Sequence, residues 1–444
     1  MYFSTDKQTL EDLNIFGRAG GDSVYGIFNR TFTRGGAALL EEIFMQPLSD
    51  PGQIKNRSGL IRHFADSGMV FPFKPELFDA AEVYLANTDE RTMLSTEDMT
   101  LGRKLGSLIA EDPMYKTVQK GIASLLELLQ GVDKFVTSPY DIEGEQIQRL
   151  LADADLAALL QVSAVKLSHH RLVELDRLLR FRHRNMVKKI LSYIYHLDVY
   201  MSVAKVAVER GLIFPVLLPA GELTIRMEAV YHPLLKNPVP NSVILSRERN
   251  VIFLTGANMA GKSTFMKTLG IALYLAHVGF PVAAGKMEFS VLDGIYTTIN
   301  LADDLTAGAS HFYAEVLRIK KIAKEIGSSR NLLVIFDELF RGTNVKDAAD
   351  ATIAITSAVA RKRNCLFVVS THIMEAGEVL REQDPHISFV YLPTLMDGNK
   401  PVYTYTLREG ITADRHGMVI LNNEGVLDIL KRGAAAIEQK PIGS

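Results

Sequence analysis

The pattern of hydrophobic and polar positions changes near residues 211–221 and divides the chain into two parts. Before this point, apolar residues recur at helical spacing, most regularly between residues 165 and 210, as in an amphipathic helix. Residues 145–210 contain neither Gly nor Pro. The pattern predicts an all-α domain over residues 1–211, in which a helix at 165–210 would form a lever roughly 70 Å long. Two ordinary helices separated by a break are the alternative interpretation.

After residue 221, short apolar runs alternate with amphipathic stretches, as strands and helices do in an α/β domain. The predicted strands are 331–336 and 364–370, and the predicted helices are 345–361 and 373–381. Residues 387–395 and 402–407 flank an Asp397-Gly398 turn and predict a β-hairpin. We therefore expect residues 212–444 to form an α/β domain with a mostly parallel sheet, flanking helices and a short helical C-terminal tail.

A glycine-rich segment at residues 255–264, Thr-Gly-Ala-Asn-Met-Ala-Gly-Lys-Ser-Thr, fits the phosphate-binding pattern G-x-x-x-x-G-K-[ST]. An apolar run at 251–254 precedes it and predicts a buried strand, and residues 265–277 predict a helix after it. Glycines let successive backbone N–H groups surround a phosphate, and the helix N-terminus adds partial positive charge. The alternative is a glycine-rich turn that matches by chance, and the flanking strand and helix argue against it.

This loop predicts that the protein binds ATP and Mg²⁺. Lys262 would reach the β- and γ-phosphates, and the Ser263 hydroxyl would be a ligand of Mg²⁺. The predicted phosphate-binding residues are Gly256, Asn258, Met259, Ala260, Gly261, Lys262, Ser263 and Thr264.

Two further segments carry polar side chains at the ends of predicted strands. The apolar run at 332–336 ends in Asp337 and Glu338, which fit an acid that holds Mg²⁺ and an acid that polarises the attacking water. His372 follows the next apolar run, at the edge of the sheet where ligands bind, and would sense the γ-phosphate. A structural or solvated histidine is the alternative. The predicted catalytic residues are thus Glu338, His372 and Lys262.

The segment at residues 304–312 resembles the signature segment of ABC-type ATPases. There, a Ser at a helix N-terminus contacts the γ-phosphate that a second subunit holds, and Ser310 occupies that position. By spacing alone, this segment would be only a polar loop before a helix. The role of Ser310 implies a homodimer with two composite ATP sites.

Charge and composition do not indicate a partner on their own. The net charge is −2 and the pI is about 6.6, so binding to DNA would require a local basic surface. One candidate strip on the long helix consists of Arg177, Arg180, Arg182, Arg184, Lys188 and Lys189; a solvated helix face is the alternative. The single Cys365 suits a reducing compartment. Neither a signal peptide nor a membrane-spanning run is evident, so we expect a cytoplasmic protein without membrane association.

Taken together, these segments resemble one family, the MutS mismatch-repair ATPases. The matching segments are residues 231–234 with 238–241, 255–264, 303–312, 337–343 and 370–372. Residues 9–13 and 27–31 also resemble the opening of the family's helical core domain. The resemblance implies an α/β ABC-type P-loop ATPase domain preceded by an all-α core and lever domain with long helices. The chain looks like a short member that starts at this core, without the mismatch-binding and connector domains.

The resemblance also implies a function. ATP binding and hydrolysis would drive closure of a homodimer on mismatched or branched double-stranded DNA, and a MutL-like partner stays an open question. The alternative is a regulatory P-loop ATPase that acts on a protein partner instead of DNA. The ATPase subunit of a transporter is disfavoured, because the chain lacks the transporter's L-S-G-G-Q signature.

Five positions depart from the family's pattern, and two of them, Ala309 and His311, replace the usual Arg and Thr of the signature segment. Ala257 replaces the usual Pro, and Phe340 replaces the usual Gly. Pro238 stands where many members have an aromatic side chain that stacks on adenine. Either adenine binds more weakly in this protein, or another side chain supplies the stacking.

Overall fold

The contacts of the chain define two compact units. The computed structural model describes residues 3–17, 21–95, 113–135, 142–163, 167–299, 311–328, 330–340, 343–398, 400–412, 425 and 429–430. The first unit comprises Met1–Gly26, Gln46–Lys55 and Gly211–Ser444, and the second comprises Ile27–Met45 and Asn56–Arg210. This division differs from a single boundary between residues 211 and 212, because two N-terminal segments group with the C-terminal part.

The described residues before position 211 form mainly helices. They are α1 (Lys7–Asp12), α2 (Val24–Phe28), α3 (Arg34–Met45), α4 (Pro51–Ser67), α5 (Pro75–Ala86), α6 (Pro113–Phe135), α7 (Ile142–Leu151), α8 (Ala154–Leu159), α9 (His169–Asp176) and α10 (Arg184–Arg210). Residues Arg177–Arg182, between α9 and α10, form a π-helix. Among the described residues, none of these or the later helices has the length and hydropathy needed to cross a bilayer.

The continuous helix predicted at 165–210 is wrong, and the alternative with a break is closer to the structure. His183 leaves the helical conformation, with φ −108° and ψ 17°, and its Nε2 lies 2.8 Å from a carboxylate oxygen of Asp155. Arg182 lies on the same carboxylate, with 3.2 Å between Nη2 and Oδ2. The side chains of Arg182 and His183 thus tie the break to α8. A lever that begins at Arg184 is about 40 Å long at 1.5 Å per residue.

The burial of Arg180 contradicts the prediction that this residue belongs to an exposed basic strip. Its side chain is 1% exposed and forms an ion pair with the buried Asp176, with 2.6 Å between Nη2 and Oδ2. Tyr84 donates a hydrogen bond to the other oxygen of Asp176 at 2.8 Å, and the carbonyl of Thr92 accepts from Arg180 at 2.9 Å. A charge needs such partners to be buried. Arg180 is therefore part of the core of the second unit and is not available to a phosphate backbone.

The later elements are strands alternating with helices, as the sequence predicted. The strands are β1 (Val216–Leu217), β2 (Thr224–Val230), β3 (Asn241–Ser246), β4 (Val251–Gly256), β5 (Lys286–Phe289), β6 (Gly294–Thr298), β7 (Leu332–Asp337), β8 (Leu366–Ser370), β9 (Ile387–Leu392), β10 (Thr394–Asp397), β11 (Lys400–Tyr403) and β12 (Arg408–Glu409). The helices are α11 (Lys262–Val278), α12 (His311–Ile326), α13 (Val345–Ala360) and α14 (Met374–Gln383).

The largest sheet has the strand order β12-β9-β4-β8-β7-β6. The five strands from β9 to β6 are parallel, and β12 is antiparallel to β9 at the edge. Every residue of β4, β7 and β8 is buried, which explains why these strands appear as continuous apolar runs in the sequence. The prediction of a mixed α/β fold with a mostly parallel sheet is confirmed. A second sheet has the order β1-β5-β2-β3.

The predicted hairpin is present but shorter than expected. Its strands are β10 and β11, which pair from Thr394 with Tyr403 to Asp397 with Lys400. Gly398 in the turn has φ 59°, a conformation that glycine adopts without strain. The residues before Pro393 belong instead to β9 in the main sheet. Proline ends the pairing of β9 because it has no N–H group to donate.

The N-terminal segment belongs to the first unit through hydrogen bonds to β6 and α12. Asp12 accepts from the Thr297 hydroxyl at 2.7 Å and from the Ile299 N–H at 2.9 Å. Arg318 of α12 donates to Asp6. Burial alone would raise the pKa of Asp6, but hydrogen bonds from Arg318 and Lys321 outweigh burial and hold this pKa well below its usual range. These carboxylates account for the grouping of residues 1–26 with the α/β domain.

A buried histidine makes the stability of the first unit sensitive to pH. The His277 ring is fully buried, its Nδ1 donates to the Leu48 carbonyl, and its Nε2 accepts from the Leu292 N–H. Burial lowers the pKa of His277 to about 4, against the usual 6.5. The folded protein therefore binds fewer protons than the unfolded chain between these values, and stability is lost as the pH falls through this window.

We expect the His277→Gln variant to remove this pH dependence. Gln carries no titrating group, so the difference in unfolding free energy between wild type and variant should change by about 3 kcal/mol between pH 7 and pH 4. Urea unfolding of both proteins at a series of pH values measures this difference in unfolding free energy. His170→Gln, at an exposed position, serves as the control and should leave the pH profile unchanged. A wild-type profile that His277→Gln does not flatten would contradict the assignment.

Candidate active site

The glycine-rich loop connects the C-terminal end of β4 to the N-terminus of α11. Gly256 and Gly261 have φ values of 151° and 102°, and both positions are crowded. A Cβ atom at Gly256 would lie 3.2 Å from the Leu392 carbonyl, and one at Gly261 would lie 3.0 Å from the Tyr405 ring. Gly261 precedes α11 without a side-chain cap, so the first N–H groups of this helix can donate to an anion.

Lys262 folds back over the loop. Its side chain is 4% exposed, and Nζ lies 2.8 Å from the Gly256 carbonyl and 3.3 Å from the Ala257 carbonyl. Nζ also lies 3.4 Å from Oε1 of Glu338. The ammonium group is therefore held at the centre of the loop, where a bound anion would compete for it with one carboxylate and two carbonyls.

Ser263 and Asp337 meet at the end of the sheet. The Ser263 hydroxyl donates to Oδ2 of Asp337 at 2.6 Å, and the Asp337 side chain is largely buried. The contact joins the first turn of α11 to the last residue of β7. A hydroxyl and a carboxylate at this position are oxygen ligands of the kind that Mg²⁺ prefers, so these two residues fit the predicted metal site.

Glu338 lies between Lys262 and His372. Its Oε2 is 3.8 Å from Nδ1 of His372, and its Oε1 is the atom that faces Lys262. The Glu338 N–H donates to the Ser370 carbonyl at 2.9 Å, which fixes the backbone of the turn to β8. The Glu338 carboxylate is mostly buried, whereas His372 is 55% exposed.

The structure thus brings together most of the residues that the sequence selected. They lie at one edge because β4, β7 and β8 are parallel and their ends are in register, with Asp337 opposite Ser370 and Leu254 opposite the same residue. Asn258, Met259, Ala260 and Thr264 complete the loop, and Met259 is 76% exposed. Ser310 lies outside the described residues, so the predicted contact with a second subunit stays a prediction.

A cavity of about 260 Å³ opens beside the loop. Its lining includes Leu235, Pro238, Val239, Phe265 and Tyr405, together with the backbone at Gly261. It is mostly apolar, as a site for a flat heterocyclic ring would be. Thr264, in the first turn of α11, also lines the cavity.

Tyr405 is a lining residue that the sequence did not reveal. Its ring is 46% exposed and its φ is 55°, an unusual conformation for an aromatic residue. Asn241 holds this backbone from both sides: its Nδ2 donates to the Tyr405 carbonyl at 2.9 Å, and its Oδ1 accepts from the Leu407 N–H at 2.6 Å. The Asp397-Gly398 turn is the sequence signal that could have led to Tyr405, because the chain that returns from this hairpin passes over the loop after β4.

The fold and the site define a class of protein, a mixed α/β domain with a glycine-rich loop between a parallel strand and a helix. Residues 252–439 match the family model described as MutS domain V. This match and the curated relatives confirm the resemblance to the MutS family that the motifs indicated.

Several curated relatives carry the name DNA mismatch repair protein MutS. The protein from Geobacillus sp. (strain WCH70) is 26% identical over 339 residues, which are 74% of this chain and 37% of the relative. The protein from Persephonella marina (strain DSM 14350 / EX-H1) is 28% identical over 69% of this chain and 34% of its own length. The protein from Bacillus cytotoxicus is 31% identical over 52% of this chain and 26% of its own length. The matched region thus spans between 26% and 37% of the length of these relatives.

Proposed function

We propose that the protein binds ATP at the glycine-rich loop and hydrolyses it with the help of Mg²⁺. The observation that carries this proposal is the convergence of Lys262, Ser263, Asp337 and Glu338 within hydrogen-bonding or ion-pair distance at one sheet edge. The loop N–H groups and Lys262 would bind the phosphates, and Ser263 and Asp337 would hold the metal ion. When bound, Mg²⁺ supplies positive charge that offsets the charge on the phosphate oxygens.

Glu338 would act as the group that polarises the attacking water. Its carboxylate faces the Lys262 ammonium at 3.4 Å. Phosphate oxygens would draw Lys262 towards themselves, because they carry more negative charge than one carboxylate. Glu338 would then be released to accept a proton from water, and His372 at its other oxygen would contact the γ-phosphate. Hydrolysis would thus be coupled to occupation of the loop.

The base of ATP would occupy the cavity beside the loop, against the ring of Tyr405. In this placement Tyr405 would replace the stacking aromatic residue that is missing at Pro238, because Tyr405 lines the same cavity and presents a half-exposed aromatic face. Stacking of a base on an aromatic ring contributes roughly 1–3 kcal/mol. The arrangement favours a different stacking residue over simple loss of adenine affinity.

Replacing Tyr405 by Ala should weaken ATP binding about 10-fold, which corresponds to about 1.4 kcal/mol. Tyr405→Phe is the matched control, since it keeps the ring and removes only the hydroxyl, and it should bind ATP as wild type does. Calorimetric titration with ATP and with inorganic triphosphate separates the contributions of base and phosphates. Equal ATP affinities for the Ala and Phe variants would show that the base lies elsewhere.

We further propose that ATP drives closure of a homodimer on mismatched or branched double-stranded DNA. Two observations support this extension: the curated relatives are named DNA mismatch repair proteins, and Ser310 matches a signature residue that would act on a second subunit. The ordered helices of the second unit would transmit the closure. Moving a packed helical unit as a body is a common response to a ligand at a domain's end.

Fluorescence anisotropy tests this extension. Homoduplex, mismatched and branched DNA would be titrated with the protein, with and without a non-hydrolysable ATP analogue, over a salt series. We expect binding that depends on the nucleotide, weakens with salt and prefers one of these DNAs. Light scattering of the same samples should show a dimer in the presence of the analogue.

A second candidate is a switch that acts on a protein partner. The observations that favour it are the net charge of −2 and the burial of Arg180, which removes one cation from the candidate basic strip. In this case, a protein that hydrolyses ATP and dimerises with the analogue would bind none of the three DNAs at low salt.

A further inference from the structure

The turn after β7 contains two residues in the left-handed backbone region. Glu338 has φ 47° and Phe340 has φ 66°. Residues with a side chain rarely adopt this conformation, and it is least common for bulky ones. Two such residues within three positions store strain that the surrounding structure must hold. The strained turn carries the Glu338 carboxylate, which is the group proposed to polarise the attacking water.

The ring of Phe340 anchors this turn in the core. Phe340 is 5% exposed and belongs to the cluster of buried side chains that includes Phe336 and Val369 of the sheet. Its ring packs on Phe312 of α12, with 5.7 Å between ring centroids and 49° between ring planes, a distance at which aromatic pairs attract. The neighbouring Leu339 is also 5% exposed. The side chains after Glu338 thus pack inwards while its carboxylate lies beside Lys262 and His372.

Glycine would suit the backbone at position 340 better than phenylalanine does. A glycine adopts a positive φ without steric cost, and the family that this chain resembles usually has Gly at this position. Here the cost of the left-handed phenylalanine is offset by burial of its ring. A glycine would leave the turn free to change conformation, whereas the buried ring fixes it.

We propose that Phe340 is a positioning residue for Glu338. Its ring, held against Phe312, keeps the turn in the conformation that places the Glu338 carboxylate between Nζ of Lys262 and Nδ1 of His372. The expected effect on hydrolysis rests on the proposed ATPase function. The effect on the position of the Glu338 carboxylate rests on the structure alone. Phe340 does not touch the reacting atoms, so it acts only through Glu338.

The test compares Phe340→Gly and Phe312→Ala with a matched control, Phe389→Ala. Phe389 is partly buried against the same cluster, but it lies on β9 and not next to the turn. We expect the first two variants to lower kcat about 10-fold or more while KM for ATP stays within about 2-fold, since a small displacement of a catalytic group has effects of this size. Phe340→Leu, which keeps an apolar side chain, should recover part of kcat. The control should keep the wild-type kcat.

A second readout does not depend on turnover. The ring signal of His372 in the NMR spectrum, assigned by its loss in His372→Gln, should shift in Phe340→Gly and Phe312→Ala because the carboxylate beside it moves. It should not shift in Phe389→Ala. Where Phe312→Ala fails to fold, Phe312→Leu replaces it in both measurements.

The outcomes separate this inference from the proposed function. A loss of stability in the variants with unchanged kcat and an unchanged His372 signal would overturn it, because Phe340 would then only fill the core. A wild-type chain that does not hydrolyse ATP would refute the proposed function, and the His372 signal would still decide whether Phe340 positions Glu338.

Discussion

Glu338→Gln is expected to lower the steady-state rate of ATP hydrolysis at least about 100-fold while leaving ATP bound. A positioned acid–base group contributes on the order of 10²–10⁴ to a rate, and Gln keeps the size of the side chain but cannot accept a proton from water. The variant also loses the ion pair with Lys262, whose Nζ lies 3.4 Å from the Glu338 carboxylate. ATP affinity should therefore be equal to that of wild type or higher.

Release of phosphate and equilibrium binding of ATP should be measured on the same preparation. Glu378→Gln is the matched control, since Glu378 is an exposed carboxylate on α14 of the same unit. It should hydrolyse ATP at the wild-type rate. A Glu338→Gln variant that turns over ATP as wild type does would remove Glu338 from the mechanism and leave the strained turn without a catalytic role.

Lys262→Ala is expected to weaken ATP binding at least about 100-fold, which corresponds to about 2.7 kcal/mol. The reason is electrostatic, because the change removes the buried cation and leaves Asp337 and Glu338 facing the triphosphate. Like charges at close distance in a poorly solvated site repel strongly. Hydrolysis should fall with binding, so the variant loses both functions, in contrast to Glu338→Gln, which should lose only turnover.

Lys320→Ala provides the control for charge removal. Lys320 lies exposed on α12, and its loss changes the net charge by the same amount without touching the loop. Thermal unfolding of both variants shows whether the fold is retained. Wild-type ATP affinity in a folded Lys262→Ala protein would show that nucleotide binds at another place on the chain.

Local sequence signals predicted the parts of the site that depend on neighbouring residues. The loop at 255–264 needs particular residues at fixed spacing, and its glycines at 256 and 261 adopt the positive φ values that the pattern implies. Buried parallel strands are apolar throughout, which made β4, β7 and β8 recognisable. Parallel strands that end at one edge then place Asp337 and Glu338 beside the loop, without further information.

Contacts between distant segments could not be predicted in the same way. Tyr405 reaches the cavity because the hairpin after β9 returns over the loop, and Asn241, 164 positions earlier, holds its backbone. Arg180 looked like one more surface cation, because a helical pattern does not show that Asp176 and Tyr84 surround it in the core. The interruption at His183 was equally hidden, since neither Gly nor Pro marks it.

The substitution at Phe340 shows how a departure from a pattern can be informative. In the sequence it was only a bulky residue at a position where the family usually has glycine. The structure gives it a positive φ and a buried ring against Phe312. A backbone conformation that suits glycine is thus held here by burial of a bulky side chain, which points to a requirement on the turn itself.

The most direct test of the central claim is phosphate release from ATP by the wild-type chain, measured with Mg²⁺ and again after its removal with EDTA. We expect saturable turnover with Mg²⁺ that stops when the ion is removed, because Ser263 and Asp337 together offer oxygen ligands at the loop. Absence of turnover with Mg²⁺, or turnover that continues in EDTA, would contradict the assignment of this site as a magnesium-dependent ATPase.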